Sequence, residues 1–456
     1  MSIFNITDFG AVADSTTVNT TAIQAAVDAA TQAGGGTVKV PAGTFVTGTI
    51  VLKNNVCIDL EHAATLLGST DIVDYPQVDM PEYKFQKALG PLCALVYAEK
   101  AENIALTGSG TIDGRGNSFE FKGTDLEMRP RNIQFISCNR VKVSGLTLRN
   151  SGMWMQHYNN CEDVLVENIN VYNHANANND MIDIDSCRRF TLNNMIGDSD
   201  DDGITIKSTG PAPCKDVAIT NCVVHAHCNA IKIGTETTGH FENITLSNIT
   251  ISRSRNENVH FGLKNGISGI SLEMVDGGLI DGITVDNINM DGVEVPIFIR
   301  IGKRGRAYFT DAPPVGVGQI KRISLSNILI RNAGQTGSSI TGQPGHNIED
   351  LYMSNIRLFT KGGVSEMPKV DVEDLPLDYP EGTMFGTLPA LGMYIHHAKN
   401  IYMNGVTVGA DEADVRPAFY ADDVENLRIN ELNLRNISQA LGECEGRNTS
   451  VNINCV

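Results

Sequence analysis

Aromatic side chains are scarce, 6% of the residues with a single Trp, and no apolar run approaches the roughly 20 residues of a bilayer-spanning helix. Membrane insertion is therefore not expected. Positive charge is also short: 35 Lys and Arg stand against 53 Asp and Glu, a net charge of −18. Sequence-independent nucleic-acid binding needs basic patches that neutralise phosphates, so no nucleic-acid partner is expected. An acidic polysaccharide would need Lys and Arg placed locally within this negative field. The ten cysteines form no CxxC pair and no dense framework. They read as small buried apolar residues, with a few disulfides as the alternative in an exported protein. The start, MSIFNITDFG, lacks the basic region and the roughly 7–15-residue apolar core of a secretion signal. A cytoplasmic protein is expected, or a secreted or periplasmic one whose signal has been removed.

Instead of long runs there is a short recurring pattern, apolar-x-apolar-x-(Asn/Gly)-apolar-x-apolar, at intervals of mostly 23 to 40 residues. It reads VKVSGLTL from Val141, VLVENINV from Val164, VAITNCVV from Val217, ITLSNITI from Ile244, ITVDNINM from Ile283 and ISLSNILI from Ile323. Alternation is the strand signal, and the polar or Gly break marks a corner. Each unit is too small to bury its own apolar face, whereas stacked units bury it together, as in a solenoid. The expected fold is all-β: a single-domain right-handed parallel β-helix over residues 1–456, with a cap and first coils in 1–70 and the main coils in 100–440. Equivalent side chains of successive coils then form columns about 4.8 Å apart, and the mid-pattern Asn reads as a hydrogen-bonded stack. Residues 19–33, NTTAIQAAVDAATQA, predict an amphipathic helix with Asn19 or Thr20 as N-cap and the following glycines as its stop. Such a helix is suited to cap the open end of a solenoid. Segments near 74–90, 302–318 and 360–395 predict long loops, as cleft walls or contacts.

The stretch DSDDDGITIKS, Asp198 to Ser208, concentrates carboxylates ahead of a strand pattern. It matches the opening of an EF-hand loop, but Thr209 stands where the bidentate Glu is needed. A solvated acidic turn is the common fate of such a run. Laying NDMIDIDS (from Asn179), DDGITIKS (from Asp201), CNAIKIGT (from Cys228) and SGISLEMV (from Ser268) over one another argues otherwise. Asp180, Asp202 and Asn229 fall in one column, with Asp201 beside it. Asp183, Thr205, Lys232 and Ser271 fall in the next outward-facing column. Clustered carboxylates push one of their number toward protonation, and glycoside hydrolysis uses one protonated and one ionised acid.

NNDMIDID and SDDDGITIKS resemble the NTDGIDI and DDCVAIKS motifs of the polygalacturonase family, glycoside hydrolase family 28, and the resemblance covers most of the chain. It implies an inverting, metal-independent hydrolase without cofactor, acting on a pectin-type polysaccharide or oligosaccharide. Asp201 would be the general acid, and Asp180 with Asp202 would hold and deprotonate water. Inversion predicts an acid–base separation of roughly 6.5–9.5 Å. Where the family carries Gly-His-Gly this chain has Cys228-Asn229-Ala230, and where it carries Arg-Ile-Lys this chain has Ser271-Leu272-Glu273. The rhamnogalacturonan-directed branches are similar in lacking both, which, within the galacturonan or rhamnogalacturonan class of glycans, shifts the expectation toward one whose residue at the cut is neutral or whose uronate is held by other basic residues. If the chain is intracellular, an exo-acting enzyme fits best.

Candidate substrate contacts are Asn229, Lys232, Glu236, His260, Glu273 and Arg300, with Lys207, Lys264, Lys303 and Arg304 as further cations. Trp154 and Tyr158 could stack under a sugar or be buried; His225 and His227 could replace the missing His or be ordinary. A non-catalytic glycan-binding β-helix of tailspike or adhesin type is the alternative, although such a protein has no use for mutually repelling carboxylates. A pectate lyase would want calcium ligands and an Arg base near the cut.

Overall fold

The computed structural model describes residues 2–77, 93–118, 121, 129–306, 315–440 and 450–455. Its strands join one sheet, and every ladder among the described residues is parallel. Each coil contributes short strands that pair with the same strands of the next. Ile182–Asp185, Arg188–Asn193 and Ile196–Ser199 lie against Ile204–Ser208, Cys214–Thr220 and Val223–Ala226. Parallel strands joined by crossovers wind right-handed because twisted strands close onto one another that way. The architecture is the expected right-handed parallel β-helix.

The interior consists of apolar columns. Ile182, Ile204, Ile231, Ile270 and Ile297 occupy one register position on five coils, and all are fully buried. β-Branched residues suit this place because their stiff side chains pack well on a pleated surface. The eight cysteines with described side chains are free thiols, and all but Cys57 are buried.

The mid-pattern asparagines do stack: Asn194 donates to Asn168 (3.2 Å), Asn248 to Asn221 (3.3 Å), Asn287 to Asn248 (2.8 Å) and Asn355 to Asn327 (2.8 Å). The structure adds a prior reason for them. Asn168, Asn194, Asn221, Asn248, Asn287, Asn327 and Asn355 all have φ between 51° and 57°, the left-handed corner. Asn tolerates that conformation better than other side chains and Gly adopts it freely, so Gly145 and Gly405 replace Asn at this corner.

The cap helix, α1, runs Thr20–Gln32 and buries Ile23, Ala26, Val27 and Ala30 against the first coil. Asn19 is at the N-cap position, but its side chain makes no bond to the helix amides. It instead accepts from the Val12 amide (2.7 Å) and donates to the Thr17 carbonyl (2.7 Å), tying down the entering chain. Gly34 and Gly35, with φ of 84° and 132°, turn the chain from the helix into Gly36–Val40.

Two sequence expectations need adjustment. Asn229 pairs with Ser268, so the fourth aligned segment begins one residue earlier, at Ile267; the column Asp183, Thr205, Lys232, Ser271 stands. Of the loops placed at 74–90 and 302–318, residues 78–90 and 307–314 lie outside the described residues. The third, between Ile348–Thr360 and Met393–Ala410, is irregular and folds onto the strand face that carries the acidic residues. Among the described residues no helix is long and apolar enough to cross a membrane.

The two reasons for Asn at the corner separate on mutation. Asn287→Gly is expected to be milder than Asn287→Ala by about 1 kcal/mol, because only Ala meets the left-handed strain. Equal losses in chemical denaturation would instead show that the side-chain ladder matters more than the corner conformation.

Candidate active site

The acidic face is built from the ends of stacked strands. The Met155 amide bonds the Asp180 carbonyl (3.0 Å), Met181 bonds Asp202 (3.0 Å) and Gly203 bonds Asn229 (2.8 Å). Asp180, Asp202 and Asn229 therefore share one column, as the sequence alignment required, with Ser268 following them and Trp154 preceding them. The neighbouring column carries His157, Asp183, Thr205, Lys232 and Ser271.

Asp202 is held by three donors. Its Oδ1 accepts from the Asn229 amide (3.0 Å) and Asn229 Nδ2 (2.8 Å), and its Oδ2 from Lys232 Nζ (2.9 Å). Ser268 Oγ in turn donates to Asn229 Oδ1, fixing the Asn side chain. Asp201 has no such cation: its contact is Asn178 Nδ2 at 3.4 Å. Asp180 Oδ1 and both oxygens of Asp183 accept no hydrogen bond, although Lys207 Nζ stands 3.4 Å from Asp183. Lys207 also pairs with Glu236 (3.1 Å) and lies 4.5 Å over the Trp154 ring, a cation–π contact.

These environments divide the acids. Burial, reinforced by the Asp183 and Asp201 carboxylates, pushes Asp180 well above the usual carboxylate range. Burial raises Asp183 to about 7 and, together with the Asp202 charge, Asp201 to about 6. Glu273 is raised to about 7 by burial. Burial would raise Glu236 too, but Lys207 and Arg306 outweigh it and hold that carboxylate low. Burial opposes the charge of Lys232, yet Asp202 and Glu273 keep it firmly protonated.

The structure thus gathers Asp180, Asp201, Asp202, Asn229, Lys232, Glu236 and Glu273. Glu273 is buried, accepts from Ser271 Oγ (2.5 Å) and lies 3.9 Å from Lys232, so its first partners are internal rather than sugar hydroxyls. Arg300 departs from its expected role as a substrate contact. It is fully buried, with its guanidinium on the backbone carbonyls of Gly342, Asp374 and Leu375 and 5.2 Å over the Phe385 ring, so it anchors the 360–395 loop. His260 donates its backbone amide to Asp200 Oδ1 at 2.9 Å, beside Asp201. Lys264 pairs with Glu257 (3.0 Å). Tyr158 points into the coil between Phe135 and Phe190, out of reach of a sugar. His227 is fully buried against Asp200 and cannot fill the place of the missing His.

Sequence reasoning missed several members. Tyr379, whose hydroxyl is 3.2 Å from Lys232 Nζ, and Glu381, raised by burial to about 8, come from the loop that was expected to be a cleft wall. Arg306 pins Glu236 (3.0 Å) and Asp276 (2.6 Å). Arg131, fully buried 5.0 Å from Trp154, has no hydrogen-bond partner on Nε or Nη2, and Arg304 has none on Nη1. One oxygen of Asp201 and one of Asp202 lie within 4.8 Å of each other, the two being consecutive residues on one turn.

Residues 31–374 match the family described as Glycosyl hydrolases family 28. A probable polygalacturonase of Vitis vinifera is 30% identical over 269 residues, 55% of this chain and 55% of that protein. An exo-poly-alpha-D-galacturonosidase of Dickeya chrysanthemi is 36% identical over 149 residues, 31% of this chain and 24% of its own length. This chain thus spans about half or less of the curated relatives it matches. The Yersinia enterocolitica family 28 exopolygalacturonase has a similar fold, with a TM-score of 0.69 at 19% identity over 95% of this chain and 78% of that one. The family match spans most of the chain and includes Asp180, Asp201 and Asp202, and on that footing the chain belongs to glycosyl hydrolase family 28.

Proposed function

We propose that the protein hydrolyses a pectic glycan of the galacturonan class by single displacement, releasing sugar from a chain end. The carrying observation is the contrast between neighbours: Asp202 is bound by Lys232 and Asn229, whereas Asp201 has no cation on it. Asp201 delivers its proton to the glycosidic oxygen as the bond to the anomeric carbon breaks. Water attacks that carbon from the opposite face and gives its proton to Asp202. With three donors on its oxygens, Asp202 is a poor nucleophile toward carbon and a good anchor for water. Burial pushes Asp180 well above the usual carboxylate range, which suits it to orienting the water more than to acting as the first base.

The relatives are named as polygalacturonases and an exo-galacturonosidase, which supports galacturonan over rhamnogalacturonan and an exo mode over an endo mode. The uronate carboxylate needs a cation that the site does not already use. Lys207 and Lys232 are committed to internal carboxylates, whereas Arg131 and Arg304 carry unpartnered nitrogens near the cluster.

Incubation with oligogalacturonides and rhamnogalacturonan fragments in EDTA, followed by NMR, is expected to show monosaccharide of inverted configuration from the start. Retained configuration or an unsaturated product removes the single-displacement reading. Binding without turnover turns it toward a glycan-binding β-helix.

Asp201→Asn is expected to abolish turnover with folding and oligosaccharide binding preserved; undiminished turnover would take the acid role from Asp201.

Arg131→Gln is expected to lower kcat/KM for free-acid oligomers by about tenfold or more, the scale of one charged hydrogen bond, and to leave methyl-esterified oligomers nearly unaffected. Equal effects on both would mean that Arg131 does not read the carboxylate.

A further inference from the structure

Three residues outside the acid–base group meet at one point on consecutive coils. The strand ends Asn173, Ser199 and Ala226 are register partners, so the residues that follow them, His174, Asp200 and His227, form a column. All three are buried, and His174 Nδ1, Asp200 Oδ1 and His227 Nδ1 lie within 4.8 Å of one another.

The outer nitrogen of each imidazole is already fixed. His174 Nε2 faces Asp198 Oδ1 at 2.9 Å, and His227 Nε2 faces the Asn256 carbonyl oxygen at 2.9 Å. A carbonyl and an ionised carboxylate only accept, so both Nε2 atoms carry the proton. Both Nδ1 atoms face the Asp200 carboxylate at the centre of the column, and since that carboxylate only accepts, each needs either a second proton or a shared cation there. A histidine whose far nitrogen donates to a carboxylate or a carbonyl is the arrangement that orients metal ligands.

Hydrogen bonding alone accounts poorly for this centre. Asp200 Oδ1 accepts from the His260 amide at 2.9 Å and meets His227 Nδ1 at 3.0 Å, with His174 Nδ1 at 3.9 Å. His174 Nδ1 is buried with no hydrogen-bond partner. A second proton on His227 Nδ1 would satisfy its pairing with Asp200, but His174 Nδ1 at 3.9 Å is too far from that oxygen to hydrogen-bond and stays unpaired. One cation between two neutral imidazoles and the carboxylate satisfies every group, with the His260 amide keeping its lone pair on Asp200.

We propose that His174, Asp200 and His227 bind one divalent transition-metal ion, with zinc the best match to two imidazoles and a carboxylate. The site is independent of the hydrolytic reading and takes part in no step of it. Its role is structural. Asp200 holds the amides of His260 and Phe261 (3.0 Å), and His227 holds Asn256, so the ion ties residues 254–261 to three coils immediately beside Asp201.

The test is metal content and binding rather than activity. Protein stripped with EDTA and titrated with ZnCl2 by calorimetry is expected to take up one equivalent per chain. Asp198→Asn, which weakens the partner of His174 without touching a ligand, is expected to loosen binding about 10–100-fold. His174→Ala and the isosteric Asp200→Asn are expected to remove the stoichiometric uptake, with folding checked by circular dichroism. Co2+-loaded protein should show a visible d–d spectrum of low-symmetry nitrogen and oxygen ligation that both variants lack. Folded protein that takes up no Zn2+, or uptake undiminished in His174→Ala and Asp200→Asn, overturns the proposal.

Discussion

Parallel coil-on-coil register is the constraint from which the rest of the structure follows. Once Ile182 is opposite Ile204 and Ile204 opposite Ile231, every other residue of those coils has its neighbour assigned, about 4.8 Å away. The chain cannot place an acid at Asp202 without deciding what stands at Asp180 before it and Asn229 after it. The same rule stacks the apolar interior, aligns the left-handed asparagine corners and brings His174, Asp200 and His227 together. A slip of one residue would turn the acids inward and the isoleucines out, so the fold and the site are specified by the same pairing.

Columns that concentrate a function also concentrate like charge. Asp180, Asp183, Asp201, Asp202, Glu236 and Glu273 crowd one face, and two lysines from that face answer them. The lysines are not shared evenly. Lys232 sits on Asp202, and Lys207 with Arg306 sits on Glu236. The acids left over, Asp180, Asp183, Asp201 and Glu273, are those that burial drives toward protonation. Removing charge from some acids lets the others stay ionised in a small space. On the proposed mechanism, the division between proton donor and water-holding acid follows from where the lysines stand.

What was legible in the sequence is what repeats. The alternating pattern with its Asn or Gly break revealed the coils, and overlaying four strand starts was enough to place Asp180, Asp202 and Asn229 in one column. The slip at Ser268 arose because the coil between Lys232 and Ser271 is lengthened by an excursion, and a repeat of uneven length does not announce its register. Arg300 looked like a free cation because sequence carries no record of the carbonyls that a loop brings back over it. Tyr379 and Glu381 were invisible for the same reason: each reaches Lys232 across about 150 residues of chain, outside any periodicity.

The two departures from the family pattern become a single change once the columns are known. Where the resemblance leads one to expect a basic pair on the coil of Ser271 and Glu273, this chain has an acid; where it leads one to expect a His, it has Asn229. Lys232, one coil earlier, lies 3.9 Å from Glu273 and 2.9 Å from Asp202. Asn229 completes the hold on Asp202 that Lys232 begins, with Ser268 fixing Asn229 from the next coil. A cation given up at one register position is thus supplied one coil away, where it binds Asp202. On the proposed function, recognition of an acidic sugar then moves to residues outside these columns. That is where the buried guanidinium of Arg131 and the loop-edge guanidinium of Arg304 keep nitrogens without protein partners.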